Sequence, residues 1–540
     1  MSGAEREPSA ASESAAPEAG RRRRRVLVSL GVVVVVAMLG YALSPVFMPL
    51  LRGGASAASP EPLPLPEAPD GTVESFGGQQ PEWQPCDDGK QCADVYAPVD
   101  WDDPAGERLT LRLVKQPASG GSPLGTLFVN PGGPGASGAQ YVADGVERAV
   151  SATVRERYDV VGWDPRGVGA SSPVSCLDAA GLDDYLFGDD EAEELERGSD
   201  EWIEAAVAES AEFGEACAER TGELLAHVGT DSTVRDLDML RAIVGDAKLN
   251  YLGFSYGTYI GARYADAFPE RVGRLVLDGA MDPATSEFDV VREQTRGFET
   301  ALRAYVADCL TREDCPLSGT VDEAMAQIGA LLDGVDERPL RASDGRTLYT
   351  STMLTAIITP LYSQDSWTAL DQLFASVEKG EADTAFWLAD FYYGREDGRY
   401  TDNSTEAFIA INCADYPNDL EPELMRHQAA ELERAAPTIG RFQGYGDVGC
   451  ADWPVTAVSE RGPVTGAGAD PILVVGTTGD PATPYRWAES LAEQLESGVL
   501  VTYRGEGHTA YGENACVDET VDAYLVDGTV PAADPQCAGS

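Results

Sequence analysis

A serine, a histidine and a carboxylate can together turn a hydroxyl into a nucleophile, and the chain offers one arrangement of the three that fits. Gly253-Phe254-Ser255-Tyr256-Gly257 reads G-x-S-x-G, set between the apolar run NYLGF (250–254) and the helical run TYIGARYADAF (258–268). A sharp strand-to-helix turn forces the serine into a strained backbone conformation, and flanking glycines avoid side-chain clashes there. Ser255 then stands at a helix N-terminus, whose N–H groups favour developing negative charge. A hydroxyl needs a base at neutral pH, and the chain has three histidines, His227, His427 and His508. His508 lies in the glycine-flanked GEGHTAYG; His227, in LLAHVG, reads as structural, and His427 falls on a polar stretch. At an elbow of this type the acid comes between serine and histidine in the chain. Asp480, in GTTGDPATP directly after the apolar run PILVVG, meets that order, with Asp278 as the fallback. Its task would be to fix the tautomer of His508 and stabilise the imidazolium. Thr483, three residues further on, reads as a helix cap in preference to a partner of the carboxylate.

A second element supplies donors. Asn130-Pro131-Gly132-Gly133-Pro134-Gly135 follows the apolar run TLFVN (126–130) and lacks the Gly-Lys-Ser/Thr ending of a phosphate-binding loop. Its glycines let backbone N–H groups approach a substrate oxygen. Pro134 has no N–H, so Gly133 is the expected donor, paired with the N–H of Tyr256. Together they form an expected oxyanion hole, an element worth roughly 3–4 kcal/mol per donor. Trp163-Asp164-Pro165-Arg166-Gly167 is expected to brace this loop without touching substrate.

These motifs need a scaffold, and the chain supplies alternating strand and helix signals. LTLRL (109–113), YDVVGW (158–163), RLVLDG (274–279) and VLVTY (499–503) read as further strands, with helical spacing over Ser232–Gly245 and near 517–526. Such alternation predicts a mostly parallel sheet covered on both faces. Between Asp278 and Pro471 the alternation stops. The segment reads as helices over Val290–Thr311, Val321–Leu332, Thr350–Tyr362, Trp367–Glu378, Asp383–Tyr393 and Leu420–Ala435, the pattern of a cap over a site.

The N-terminal part carries no such chemistry. Arg21 to Arg25 precede an uncharged stretch, Val26 to Leu51, whose apolar heart VLVSLGVVVVVAMLGYAL spans about 27 Å as a helix against about 30 Å of bilayer hydrocarbon. Arginines ahead of the run place the N-terminus inside. The stretch reads either as a signal-anchor or as a signal peptide cut near Ala55-Ser56-Ala57; either way the rest is exported, secreted or held at the membrane by this one segment. GGASAASPEPLPLPEAPDG then reads as an extended tether. Ten cysteines with no zinc spacing predict up to five disulfides and no metal site. The simplest pairing joins neighbours: Cys86–Cys92, Cys176–Cys217, Cys309–Cys315, Cys413–Cys450 and Cys516–Cys537. With 90 Asp plus Glu against 39 Lys plus Arg, a net charge of −51 across 540 residues excludes nucleic-acid binding through a basic face. At 43% apolar residues the chain is not a disordered one. The expected organisation is a cytoplasmic n-region (1–25), the apolar segment (26–51), a linker (52–75), a first core part (76–284), a helical cap (285–468) and a C-terminal core part (469–540).

NPGGPGASG, GWDPRGVGASS, GFSYGTYIGARYADAFPERV, GTTGDPATP and GEGHTA together resemble the tripeptidyl-aminopeptidase-like branch of the α/β-hydrolases, related to proline iminopeptidases. The resemblance covers roughly residues 85–540 and is weakest in the cap. It implies the α/β-hydrolase fold, with the cap inserted before the strand carrying the acid, and no cofactor. It implies an exported serine exopeptidase acting on peptides with a free N-terminus, with Ser255, Asp480 and His508 as the triad. Proline iminopeptidases have His before their Gly-Gly-Pro-Gly run where this chain has Pro131, so their substrate preference does not carry over. Esterases share the wider fold, and the sequence leaves an esterase, or a binding protein on this scaffold, open. An aminopeptidase must recognise an ammonium, and a cap carboxylate does so by a charge-assisted hydrogen bond; Asp415, in INCADYP, is the expected one.

Overall fold

The computed structural model describes residues 62–188, 195–417, 420–457 and 461–539. The n-region (1–25), the apolar segment (26–51) and the first part of the linker lie outside the described residues. Among the described residues no helix is long and apolar enough to cross a membrane.

Ten strands form one sheet: β1 (Gln84–Pro85), β2 (Gln91–Pro98), β3 (Arg108–Gln116), β4 (Thr126–Asn130), β5 (Asp159–Trp163), β6 (Leu249–Phe254), β7 (Val272–Asp278), β8 (Ile472–Gly479), β9 (Gly498–Glu506) and β10 (Gln536–Ala538). Their spatial order is β1-β2-β3-β5-β4-β6-β7-β8-β9-β10. From β5 to β10 every neighbouring pair is parallel, while β1, β2 and β3 join antiparallel at one edge. This is the α/β-hydrolase fold, and its central strands are apolar on both sides for a physical reason. Phe128, Val161, Tyr251 and Leu277 are buried in one core, and Leu127, Val129, Leu252 and Val276 in another across the sheet. A strand covered by helices on both faces has no polar side to alternate.

Between β7 and β8 the chain leaves the sheet. The expected helices are present as Glu287–Cys309, Val321–Glu337, Thr350–Leu361, Thr368–Glu378, Asp383–Tyr392 and Pro422–Ala435. They bury a cluster of their own that includes Phe298, Leu302, Ile357, Leu370 and Phe386. A further helix, Ser404–Asp415, was not legible in the sequence. Its buried residues include Ala407, Phe408, Ala410, Ile411, Cys413 and Ala414, so no polar face marks the helical period. The long helix Asp200–Thr221 also escaped, its Ala and Glu residues giving no clear stripe.

The ten cysteines pair in the structure as Cys86–Cys92, Cys176–Cys217, Cys309–Cys315, Cys413–Cys450 and Cys516–Cys537. Cys413–Cys450 joins helix Ser404–Asp415 to the short turn Gly446–Cys450.

Candidate active site

Ser255 sits between β6 and helix Tyr256–Ala267 with φ 53° and ψ −122°, in the positive-φ region that costs a side chain about 1–3 kcal/mol. The flanking glycines permit it by their lack of a side chain. A Cβ on Gly253 would come within 2.5 Å of the Gly257 carbonyl oxygen, and one on Gly257 within 2.8 Å of the Asn130 carbonyl oxygen. The turn is tied to the next strand, because the Ser255 N–H donates to the Asp278 carbonyl at 2.9 Å. Ser255 is fully buried, and its Oγ has no hydrogen-bond partner.

Asp480 ends its excursion from β8 as a buried acceptor. Its carboxylate accepts from the N–H groups of Ala482 (2.9 Å), Thr483 (2.8 Å) and Thr509 (3.2 Å). His508 Nδ1 lies 2.9 Å from each of its oxygens. A nitrogen held this way carries the proton, which leaves Nε2 as the basic atom; Nε2 is buried and without a partner. The His508 N–H donates to the Tyr362 carbonyl at 2.9 Å, and the Tyr362 ring meets the imidazole edge-on with centroids 5.6 Å apart. Gly279, at φ 66°, gives the imidazole room: a Cβ there would stand 3.2 Å from His508 Cε1.

Thr483 departs from its expected capping role. Its hydroxyl donates to Asp480 at 3.0 Å, while Pro484 occupies the cap position of helix Tyr485–Gln494 with no side-chain cap bond. A buried carboxylate needs several donors, and that demand outweighs one helix end. Asp278 holds a different post from the acid it was kept in reserve for. Its carboxylate accepts from the Ala510 (3.0 Å) and Tyr511 (2.8 Å) N–H groups, just past His508, and burial pushes its carboxyl up to about 6. His227 is half-buried beside Asp100, and His427 is exposed on helix Pro422–Ala435.

The glycine-rich loop lies against both sheet and cap. Gly132 N–H donates to Asn130 Oδ1 at 2.9 Å, and Gly133 takes φ 109°. Asp164 ties the loop's end by accepting from Ser137 Oγ and from the N–H groups of Ala139 (3.1 Å) and Ala170 (2.8 Å). Arg166, from the same motif, instead forms a fully buried pair with Asp236 at 2.7 Å. Helix Ser404–Asp415 packs so closely that a Cβ on Gly135 would come within 2.6 Å of the Ser404 carbonyl oxygen.

A cavity opens between this loop and the cap, lined among others by Gly133, Tyr256, Met281, Val290 and Phe408. It is mostly apolar, and its polar side chains include Glu287, Asn412, Tyr416 and Arg461. Asp415 is absent from its lining, contrary to the expectation of a substrate contact. The Asp415 carboxylate is buried and accepts from the Thr230 N–H (2.8 Å) and hydroxyl, and Thr230 in turn meets the Tyr256 hydroxyl. Burial pushes its carboxyl upward. Through Thr230, Asp415 on helix Ser404–Asp415 is linked to the Tyr256 hydroxyl.

Comparison with known proteins finds relatives among serine peptidases and other hydrolases. The family described as TAP-like protein matches residues 436–537. Serine protease Hip1 of Mycobacterium tuberculosis is 38% identical over 482 residues, 85% of this chain and 91% of that protein. Carboxylesterase B of the same organism is 37% identical over 516 residues, 91% and 96% of the two chains. The tripeptidyl aminopeptidase of Streptomyces lividans is 31% identical over 458 residues, 83% of each.

Proposed function

The chain belongs to the tripeptidyl-aminopeptidase-like family of α/β-hydrolases, and from that membership we propose that it is an exported serine exopeptidase releasing short peptides from free N-termini. It is an enzyme, a serine hydrolase of the peptidase kind. The observation that carries the reading is the 2.9 Å contact between Asp480 and His508 Nδ1, with the strained Ser255 elbow at the end of β6, across β7 from the strand that carries Asp480.

In this reading His508 Nε2 takes the Ser255 proton as Oγ attacks the scissile carbonyl, and Asp480 stabilises the imidazolium. The N–H groups of Gly133 and Tyr256 receive the oxyanion in a water-poor site, where preorganised donors act strongly. His508 then hands its proton to the leaving amine. Water, activated by the same nitrogen, hydrolyses the acyl-enzyme and returns the proton to Ser255. Residues 76–284 and 469–540 form the catalytic core in this proposal, and 285–468 the cap that selects peptides. The five disulfides support a location outside the cytoplasm, reached through the apolar segment 26–51 as signal or anchor.

An ester substrate is the second reading, favoured by the similarity to carboxylesterase B. Hydrolysis of mono-, di- and tripeptidyl anilides, each free and N-acetylated, beside p-nitrophenyl esters and a Ser255→Ala control, separates the two. Cleavage of free peptidyl anilides with the acetylated ones spared supports the exopeptidase; turnover of esters alone overturns it.

A further inference from the structure

Three side chains that line the cavity beside Gly133 and Tyr256 each hold a buried polar atom with no hydrogen-bond partner. They are Glu287 Oε2, Tyr416 OH and Arg461 Nη2. Buried polar groups without partners are rare and call for an explanation. Here an acceptor and two donors share one cavity without satisfying one another. What keeps them apart is visible. Arg461 is clamped between the rings of Tyr259 and Tyr416, with its guanidinium carbon 4.1 Å from each centroid, and its Nε donates to the Thr285 carbonyl at 3.2 Å. Tyr416 itself is 6% exposed, and its hydroxyl is turned away from the surface. Glu287 opens helix Glu287–Cys309, one residue past its Ser286 cap, and is fixed in place by that helix.

Opposite unmet hydrogen-bonding demands across a small apolar cavity describe a ligand that carries a cationic donor and an acceptor a few bonds apart. The α-aminoacyl group, an ammonium one carbon from a carbonyl, has that form. We propose that this cavity is the receptor for the first residue of the substrate: Glu287 binds its free ammonium, and Arg461 with Tyr416 donates to its carbonyl oxygen. The proposal rests on the exopeptidase reading and moves its ammonium site from Asp415 to Glu287. The apolar lining from Met281, Val290 and Phe408 then receives the side chains of the released peptide.

The electrostatics support the assignment. Burial, then the charge of the neighbouring Asp447 carboxylate and a hydrogen bond shared with it, push the Glu287 carboxyl up to about 8, while the Arg461 guanidinium acts on it only through space. A positive charge seated against Glu287 offsets the first two of these effects. Charge-assisted contacts of this kind in a desolvated site are worth about 10- to 100-fold in binding.

Two measurements test it on the whole protein. With the wild type, leucinamide, which carries both ammonium and carbonyl, competes with a peptidyl anilide at least tenfold better than N-acetyl-leucinamide. With Glu287→Gln, the ratio of kcat/KM between free and N-acetylated peptidyl anilides falls at least tenfold, mostly through KM; Arg461→Lys, which keeps the charge and loses the fork, raises KM for the free substrate. Thermal unfolding of each variant checks its fold. If the wild type prefers free N-termini but Glu287→Gln keeps the full preference, or if leucinamide competes no better than its acetylated form, the receptor is elsewhere. If the wild type shows no preference, the exopeptidase reading itself fails. Should Glu287→Gln not fold, Arg461→Lys decides: an unchanged KM for the free substrate places the receptor elsewhere.

Discussion

The backbone carbonyl of Asp278 accepts the N–H of Ser255 at 2.9 Å, while the carboxylate of the same Asp278 accepts the N–H groups of Ala510 and Tyr511 beyond His508. One residue at the end of β7 therefore fixes both the serine turn and the histidine loop. Asp278→Ala leaves two buried amides without acceptors, at about 1–3 kcal/mol each. The expected outcome is a lower unfolding midpoint together with a drop in kcat, read by thermal denaturation and steady-state kinetics; a variant with full kcat would show that the histidine loop holds itself.

The same carboxyl has a pH signature. Burial raises it from 3.8 to about 6 in the folded protein, so folding favours the protonated form. The stability it contributes is fully present below about pH 4 and is lost as pH rises through about 6, on the order of 3 kcal/mol in all. Asp278→Asn removes that dependence. Urea unfolding of wild type and variant at pH 4 and pH 7 then gives a stability difference in favour of Asp278 that narrows toward pH 7. A difference constant across that range would contradict the assignment.

The carboxylate of Asp480 has a graded set of partners, which predicts graded losses. Asp480→Asn breaks the tautomer control of His508 and lowers kcat by about 10³- to 10⁴-fold with little change in KM. Thr483→Val removes the 3.0 Å hydroxyl bond to Asp480 and the 3.2 Å contact with His508 Nδ1, and keeps the Thr483 N–H bond. Its expected loss is nearer tenfold. Equal losses from the two variants would mean that Thr483 does more than orient the acid.

Gly135 joins loop to cap. It takes φ 96°, and a Cβ would stand 2.6 Å from the Ser404 carbonyl oxygen and 3.1 Å from the Phe408 N. Gly135→Ala must push helix Ser404–Asp415 away from the glycine-rich loop. Activity on every acyl substrate, ester or anilide, is expected to fall, since Gly133 two residues earlier moves with the loop. Retained ester hydrolysis would show that the loop tolerates a displaced cap.

Much of this was legible because it is local. Ser255 with its two glycines, Asp480 after β8 and His508 between glycines each announce themselves within a few residues, and so do the buried strands. What escaped depends on tertiary contacts. Helix Ser404–Asp415 is apolar on nearly all sides because sheet, loop and cap all press on it, which removes the stripe that marks a surface helix. Asp415 was legible as an acid near a cysteine, but only the fold shows that Thr230 already occupies it. Glu287 looks like any first-turn acid of a helix until Tyr416 and Arg461, from segments more than a hundred residues away, meet it at one cavity. Thr483 obeys a local capping pattern that the unmet demand of a buried carboxylate overrides.

The Cys413–Cys450 disulfide carries the last prediction. It ties the cap helix Ser404–Asp415 to the turn Gly446–Cys450, whose Gly446, Gly449 and Cys450 line the cavity. The bridge closes a loop with a sequence separation of 37, for which chain entropy gives roughly 3–4 kcal/mol of stabilisation. Replacing both partners, Cys413→Ser with Cys450→Ser, is expected to cost stability of that order in urea unfolding. The catalytic consequence is more specific. Ser255, Asp480 and His508 stand on strand ends held by Asp278 and Tyr362, whereas the turn Gly446–Cys450, with Asp447, forms part of the cavity wall that the bridge fixes. The double variant should therefore raise KM for free peptidyl anilides severalfold more than it lowers kcat. A loss confined to kcat would place the bridge's influence at the strand ends and detach the cavity wall from substrate binding.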